Sequence, residues 1–124
     1  MKEIFHRQQQ LDNIVREEGI DRSTYWWLEK SNEEAQEWKV TDPDIDFEAF
    51  LMEGADVFIS WVGTMRAAGV SWEMAWDAVK FKMDIIEQRL HYAKKAAGNG
   101  RPFEENYERA KKNLLKSAPD DCNP

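Results

Sequence analysis

Three features of this 124-residue chain predict an all-α fold. Apolar residues recur at spacings of three and four, no stretch alternates as a strand would, and Gly, Pro, Asp and Ser fall where helices should start or stop. Four to five helices in one bundle are expected, as a single domain over 1–116 followed by a flexible tail at 117–124.

Residues 3–18, EIFHRQQQLDNIVREE, place Ile4, Leu11 and Val15 at heptad-like spacing with Phe5 nearby, and Gly19 ends the pattern. Glu3 and His6 have the i, i+3 spacing of a metal ligand pair. Ferritin-like di-metal bundles need two such pairs, and the other histidine, His91, has Gln88 three residues before it. Glu3 and His6 are therefore read as surface residues.

Asp21 or Ser23 can cap a second helix running to about Lys39, with Leu28, Ser31, Ala35 and Trp38 as its packing stripe. Glu34 lies at the edge of that stripe and Glu37 further round. The loop VTDPDID follows, and Asp46 can cap the next helix.

That third helix, Phe47 to Gly69, is the most apolar run of the chain. A helix greasy on all sides belongs inside a bundle. Glu53, Asp56, Ser60 and Thr64 interrupt it at spacings of three, four and four, which aligns them in one narrow polar stripe. Buried carboxylates cost several kcal/mol each unless a positive group meets them (~3–5 kcal/mol for an uncompensated charge). Fifteen residues separate Glu37 from Glu53, enough for a short connection and the opening turns of the next helix. An antiparallel hairpin would then set Glu34 and Glu37 beside Glu53 and Asp56, an oxygen-rich site suited to a hard divalent cation.

Gly69 and Ser71 mark a helix end and a fresh N-cap. From there to about Ala97, Trp72, Trp76, Val79, Met83, Ile86, Leu90 and Ala93 recur at alternating four and three, the pattern of a bundle seam. Lys82 and Arg89 sit seven apart on its flank. Gly98 to Pro102 is a turn, and 103–116 a short charged helix.

Seventeen basic against 24 acidic residues give a net charge of −7, which argues against a nucleic-acid or anionic-membrane partner. The lone cysteine, Cys122, excludes an intrachain disulfide. No apolar run reaches the ~18–20 residues that span a bilayer, and KEIFHRQQQLDNIV is too polar for a secretory signal. A cytoplasmic location is expected. Six tryptophans in so small a helical chain point to aromatic surface buried in the core or between subunits. Trp38, beside Glu37, is the one best placed to stack on a nucleobase.

The segment Glu33-Glu34-Ala35-Gln36-Glu37, followed by Glu53-Gly54-Ala55-Asp56, resembles the E-x-x-E … E-x-x-D signature of the all-α nucleoside triphosphate pyrophosphohydrolases. That superfamily contains the MazG-like proteins, the dCTP pyrophosphatases and the dimeric dUTPases. Lys82-Met83-Asp84 … Arg89 resembles its basic fourth helix, so the likeness covers roughly residues 25–90. It implies a MazG-like bundle in which Glu34, Glu37, Glu53 and Asp56 hold Mg²⁺, with Mn²⁺ as a possible substitute. Glu34 or Glu37 would orient the attacking water, and Lys82, Arg89, Trp38 and Lys30 would contact a (d)NTP. The implied products are a nucleoside monophosphate and pyrophosphate, and the implied assembly a homodimer or homotetramer through a helical interface. A dUTPase- or dCTPase-type enzyme is the nearest alternative. A non-catalytic helical interaction module, with its acidic stripe facing a basic partner, is the alternative outside catalysis.

Overall fold

The computed structural model describes residues 1–113; the expected end of the last helix at 116 and the tail expected at 117–124 lie outside the described residues. Five helices and no strand are found among the described residues: α1 Lys2–Glu17, α2 Thr24–Lys39, α3 Phe47–Ala67, α4 Trp72–Lys95 and α5 Phe103–Asn113. The chain forms two compact units, Met1–Ala75 and a second that begins at Trp76, within α4. None of the described helices is long and apolar enough to cross a membrane.

Side-chain caps fix where the helices start. Ser23 Oγ accepts the Trp26 N–H at 3.1 Å, Asp46 Oδ1 the Ala49 N–H at 3.0 Å, and Ser71 Oγ the Met74 N–H at 3.2 Å. Gly69, at φ +79°, ends α3 with its N–H on the Arg66 carbonyl, while Val70 donates to Met65. That left-handed residue turns the chain without the Cβ strain any other side chain would meet.

In the first unit α2 and α3 pack most closely and α1 lies on α3. Trp27, early in α2, rests on Gly63, late in α3; a Cβ at Gly63 would stand 2.5 Å from the indole. One turn on along α2, Ser31 Oγ is 3.3 Å from Thr64 Oγ1, also late in α3, and at the far end of α2 Trp38 meets Phe50 and Gly54, early in α3. The two helices therefore run antiparallel, as their connection predicts. Phe5 of α1 packs with Val62 and Ala75 among Met1, Trp61, Met65, Val70 and Trp72. Arg66 Nε donates to Asp12 Oδ2 at 3.0 Å to tie α3 to α1.

The helix faces differ from the sequence expectation by about one position. On α1 the covered line is Phe5, Gln8, Asp12 and Val15, with Ile4 and Leu11 exposed. On α2 it is Trp27, Ser31, Glu34 and Ala35, while Leu28 and, at the far end, Trp38 are exposed; Trp27 takes the place expected of Leu28 because Gly63 opens a slot that an indole fills. This brings Glu34 from the edge of the expected stripe into the helix contact. The third helix is not covered all round: Ser60, Val62, Gly63 and Thr64 are buried, while Leu51, Met52, Phe58 and Ile59 are exposed.

In the second unit Ile85, Arg89 and Ala93 are the buried line of α4, whereas Trp76, Met83 and Leu90 of the expected seam are exposed. The buried line is rotated by roughly one residue, about 100° on a helix. Asn106 and Ala110 are buried on α5, and Asn99 Nδ2 donates to Asn106 Oδ1 at 3.0 Å to close the intervening turn.

Candidate metal centre

Glu34 and Glu37, three residues apart on α2, project from one side of the helix toward α3. Glu53 projects back from α3. One carboxylate oxygen from each of the three lies within 4.8 Å of the other two. Glu34 is 8% exposed, Glu53 half-buried and Glu37 exposed, so the cluster sits on the flank of the helix contact with its open side at Glu37.

Lys30 of α2 brings a cation to one edge of the cluster. Lys30 Nζ lies 3.1 Å from Glu34 Oε1 and 3.8 Å from Glu33 Oε1. The hydrogen bond to Glu34 is the main reason the Lys30 ammonium holds its proton above its ordinary range. Glu37 is shifted upward as well, first by the charge of Glu34, then by partial desolvation, by a hydrogen bond with Glu34 and by the charge of Glu53. Glu34 and Glu53 thus disfavour the ionised form of Glu37, while Lys30 pairs with Glu34.

Glu53 shows the imbalance most clearly: its Oε2 is buried and has no hydrogen-bond partner. A buried anionic oxygen without a donor is costly, and every ligand atom around it is a hard carboxylate oxygen. That donor set suits Mg²⁺ or Mn²⁺ rather than a metal that prefers nitrogen or sulfur. The residues present therefore fit a hard divalent cation.

Trp38 walls the centre. Its Nε1 donates to the Phe50 carbonyl at 3.1 Å, its ring lies 5.5 Å from that of Phe50, and a Cβ at Gly54 would come within 3.1 Å of it. Gly54, next to Glu53, is what lets the indole lie so close. Packing holds this ring while leaving the residue 37% exposed.

Asp56, expected as a fourth ligand, stands outside the cluster of three and is exposed. Three residues beyond Glu53, it is turned by about 60° around α3 and carried nearly one turn along. Lys30, expected to contact substrate, is engaged with Glu34 and Glu33. Its i, i+4 spacing to Glu34 is the signal that would have revealed this pairing. Lys82, partly buried, and Arg89, 2% exposed, belong to the second unit. Glu3 and His6 are exposed, as read from the sequence.

No family model matches the chain, and neither does any curated protein or solved structure.

Proposed function

We propose that this protein is a Mg²⁺-dependent nucleotide pyrophosphohydrolase that cleaves a (d)NTP to the (d)NMP and pyrophosphate, serving house-cleaning or control of nucleotide pools. The observation carrying this reading is the three-carboxylate cluster with an unpartnered, buried Glu53 oxygen. The order and gap of the acidic pairs, like those of the all-α pyrophosphohydrolases, add the reaction class.

Glu34, Glu37 and Glu53 would hold the cation, which supplies charge neutralisation for the triphosphate and acidifies a water. Lys30, 3.1 Å from Glu34 Oε1, holds that carboxylate in place. Glu37 suits the role of water-orienting base: it is exposed on the open side of the cluster, and its raised proton affinity favours taking a proton. Trp38 offers a ring edge for a base beside the phosphates. Lys82 and Arg89 keep the phosphate-binding role that the resemblance implies.

The test is pyrophosphate release from a panel of (d)NTPs with Mg²⁺. Release that vanishes in Glu53→Gln supports the enzyme, and preference for dUTP or dCTP would select the dedicated alternatives. No release from any nucleotide would leave the interaction module.

Exposed Trp76, Met83 and Leu90, one every seven residues along α4, favour a homodimer or homotetramer formed through that helix. Light scattering on the intact chain against Met83→Glu tests it: a smaller mass for the variant supports the assembly, and a monomeric wild type rejects it.

A further inference from the structure

A second site lies in the first unit, where the end of α1, the start of α2 and the end of α3 converge. A cavity of about 200 Å³ there is lined by Asp12, Arg16, Asp21, Arg22, Ser23 and Arg66, among others. A water molecule occupies about 30 Å³ of liquid, so the cavity has room for a larger guest.

Three arginines, Arg16, Arg22 and Arg66, line it against two carboxylates, Asp12 and Asp21, so its lining carries a net positive charge. Both oxygens of Asp12 are engaged, one by Gln8 Nε2 at 2.9 Å and the other by Arg66 Nε at 3.0 Å. Arg16 has only a long hydrogen bond, 3.4 Å, to Asn13. Arg22 has no ion pair among the described residues; its guanidinium lies over the Trp26 ring at 4.3 Å and 5.9 Å from that of Trp27. At the start of α2, Ser23 satisfies the N–H groups of Trp26 and Trp27, while those of Thr24 and Tyr25 have no partner among the described residues.

Helix ends explain two of the three arginines. Arg16 and Arg66 lie in the last turns of α1 and α3, where a cation offsets the carbonyl end, and Arg66 also pairs with Asp12. Neither reason covers Arg22. It immediately precedes the N-cap of α2, the positive end of a helix, where a second positive charge is unfavourable. An anion in the cavity would reverse that penalty. It would meet the fork of Arg22, the free Nη groups of Arg66 and the open N–H groups of α2 together.

We infer that this cavity is a phosphate-binding site with Arg22 as its principal contact and the start of α2 as its cradle. It takes a phosphate dianion, either free or as a phosphomonoester. Eleven residues, about 16 Å of α helix, separate Ser23 from Glu34, so the site is distinct from the carboxylate cluster and independent of the function proposed for it.

The intact chain, metal-free and at constant ionic strength, is titrated with inorganic phosphate and separately with glycerol 3-phosphate. The readouts are calorimetry and the indole N–H resonances of Trp26 and Trp27, assigned by Trp26→Phe and Trp27→Phe. Saturable binding is expected with shifts of both resonances, and with at least a tenfold loss of affinity in Arg22→Gln but not in Arg7→Gln, on the exposed side of α1. Tighter binding of the ester would identify an organic phosphate as the guest, and equal or tighter binding of inorganic phosphate the free ion. Unsaturable titration, or equal affinity in wild type and Arg22→Gln at matched melting temperatures in chloride, would overturn the site.

Discussion

Replacing Glu53 by Gln should raise stability without metal and lower it with metal. The side chain is half-buried, its Oε2 has no donor, and oxygens of Glu34 and Glu37 lie within 4.8 Å. Glutamine keeps the shape, removes one of three like charges, and puts an N–H₂ where it can donate to the remaining carboxylates. Relief of one buried unsatisfied group is worth about 1–3 kcal/mol. For a chain of this length 1 kcal/mol moves Tm by about 3–5 °C, so a rise of about 3–15 °C is expected in chelator. Magnesium acts the other way. A ligand that binds only the folded state at a hundred times its Kd adds about 2.7 kcal/mol, so the wild type should gain roughly 8–13 °C and the variant little. Melting curves of the two proteins in chelator and in excess Mg²⁺, with the exposed Glu48→Gln as control, read both effects. A variant that melts below wild type in chelator, or that gains as much from Mg²⁺, would refute the reasoning.

Gly63→Ala forces a methyl to 2.5 Å from the Trp27 ring; overpacking of about 1–3 kcal/mol outweighs the ~1 kcal/mol of helix propensity gained, and urea unfolding should show a net loss. Gly54→Ala, facing the half-open Trp38 ring at 3.1 Å, should stay within about 1 kcal/mol of wild type by the same assay. Glu37 holds its proton above the ordinary carboxyl value of 4.5, so the folded chain binds more protons than the unfolded one, and metal-free stability should fall as pH rises from 4.5 through its raised value. Protons compete with the cation in the same window, so Mg²⁺ affinity should weaken as pH falls; a pH-independent Kd in calorimetry from neutral pH down to the ordinary carboxyl value of 4.5 would contradict this. Asp56→Asn should weaken Mg²⁺ binding less than Glu53→Gln, because Asp56 stands outside the cluster; the reverse order in the same titration would restore it as a ligand.

Helix positions were legible because local chemistry sets them: Ser23, Asp46 and Ser71 cap their helices as their residue types suggest. The meeting of Glu34, Glu37 and Glu53 was legible because Glu53 is conspicuous on so apolar a helix as α3 and the short connection brings α2 back beside it. Which of two adjacent apolar residues is buried was not. Trp27 and Leu28 are equally apolar in sequence, and the choice is made by Gly63, far along the chain, whose missing side chain admits the indole. The same limit applies to Asp56. It shares a stripe with Glu53 on paper, yet reaching α2 depends on how the two helices cross. Arg89 reads as flank charge beside an apolar seam, but the side of α4 that is covered contains Arg89 and exposes Met83. Periodicity finds a helix face to within about one residue; tertiary packing selects the residue.

Direct binding of Mn²⁺, followed by electron paramagnetic resonance of the free ion at neutral pH, tests the metal centre without recourse to any substrate. Saturable uptake by the wild type, displaced by Mg²⁺ and lost in both Glu34→Gln and Glu53→Gln, is the expected result. Uptake that is absent in the wild type, or unchanged when either glutamate is replaced, would contradict a cation held between α2 and α3.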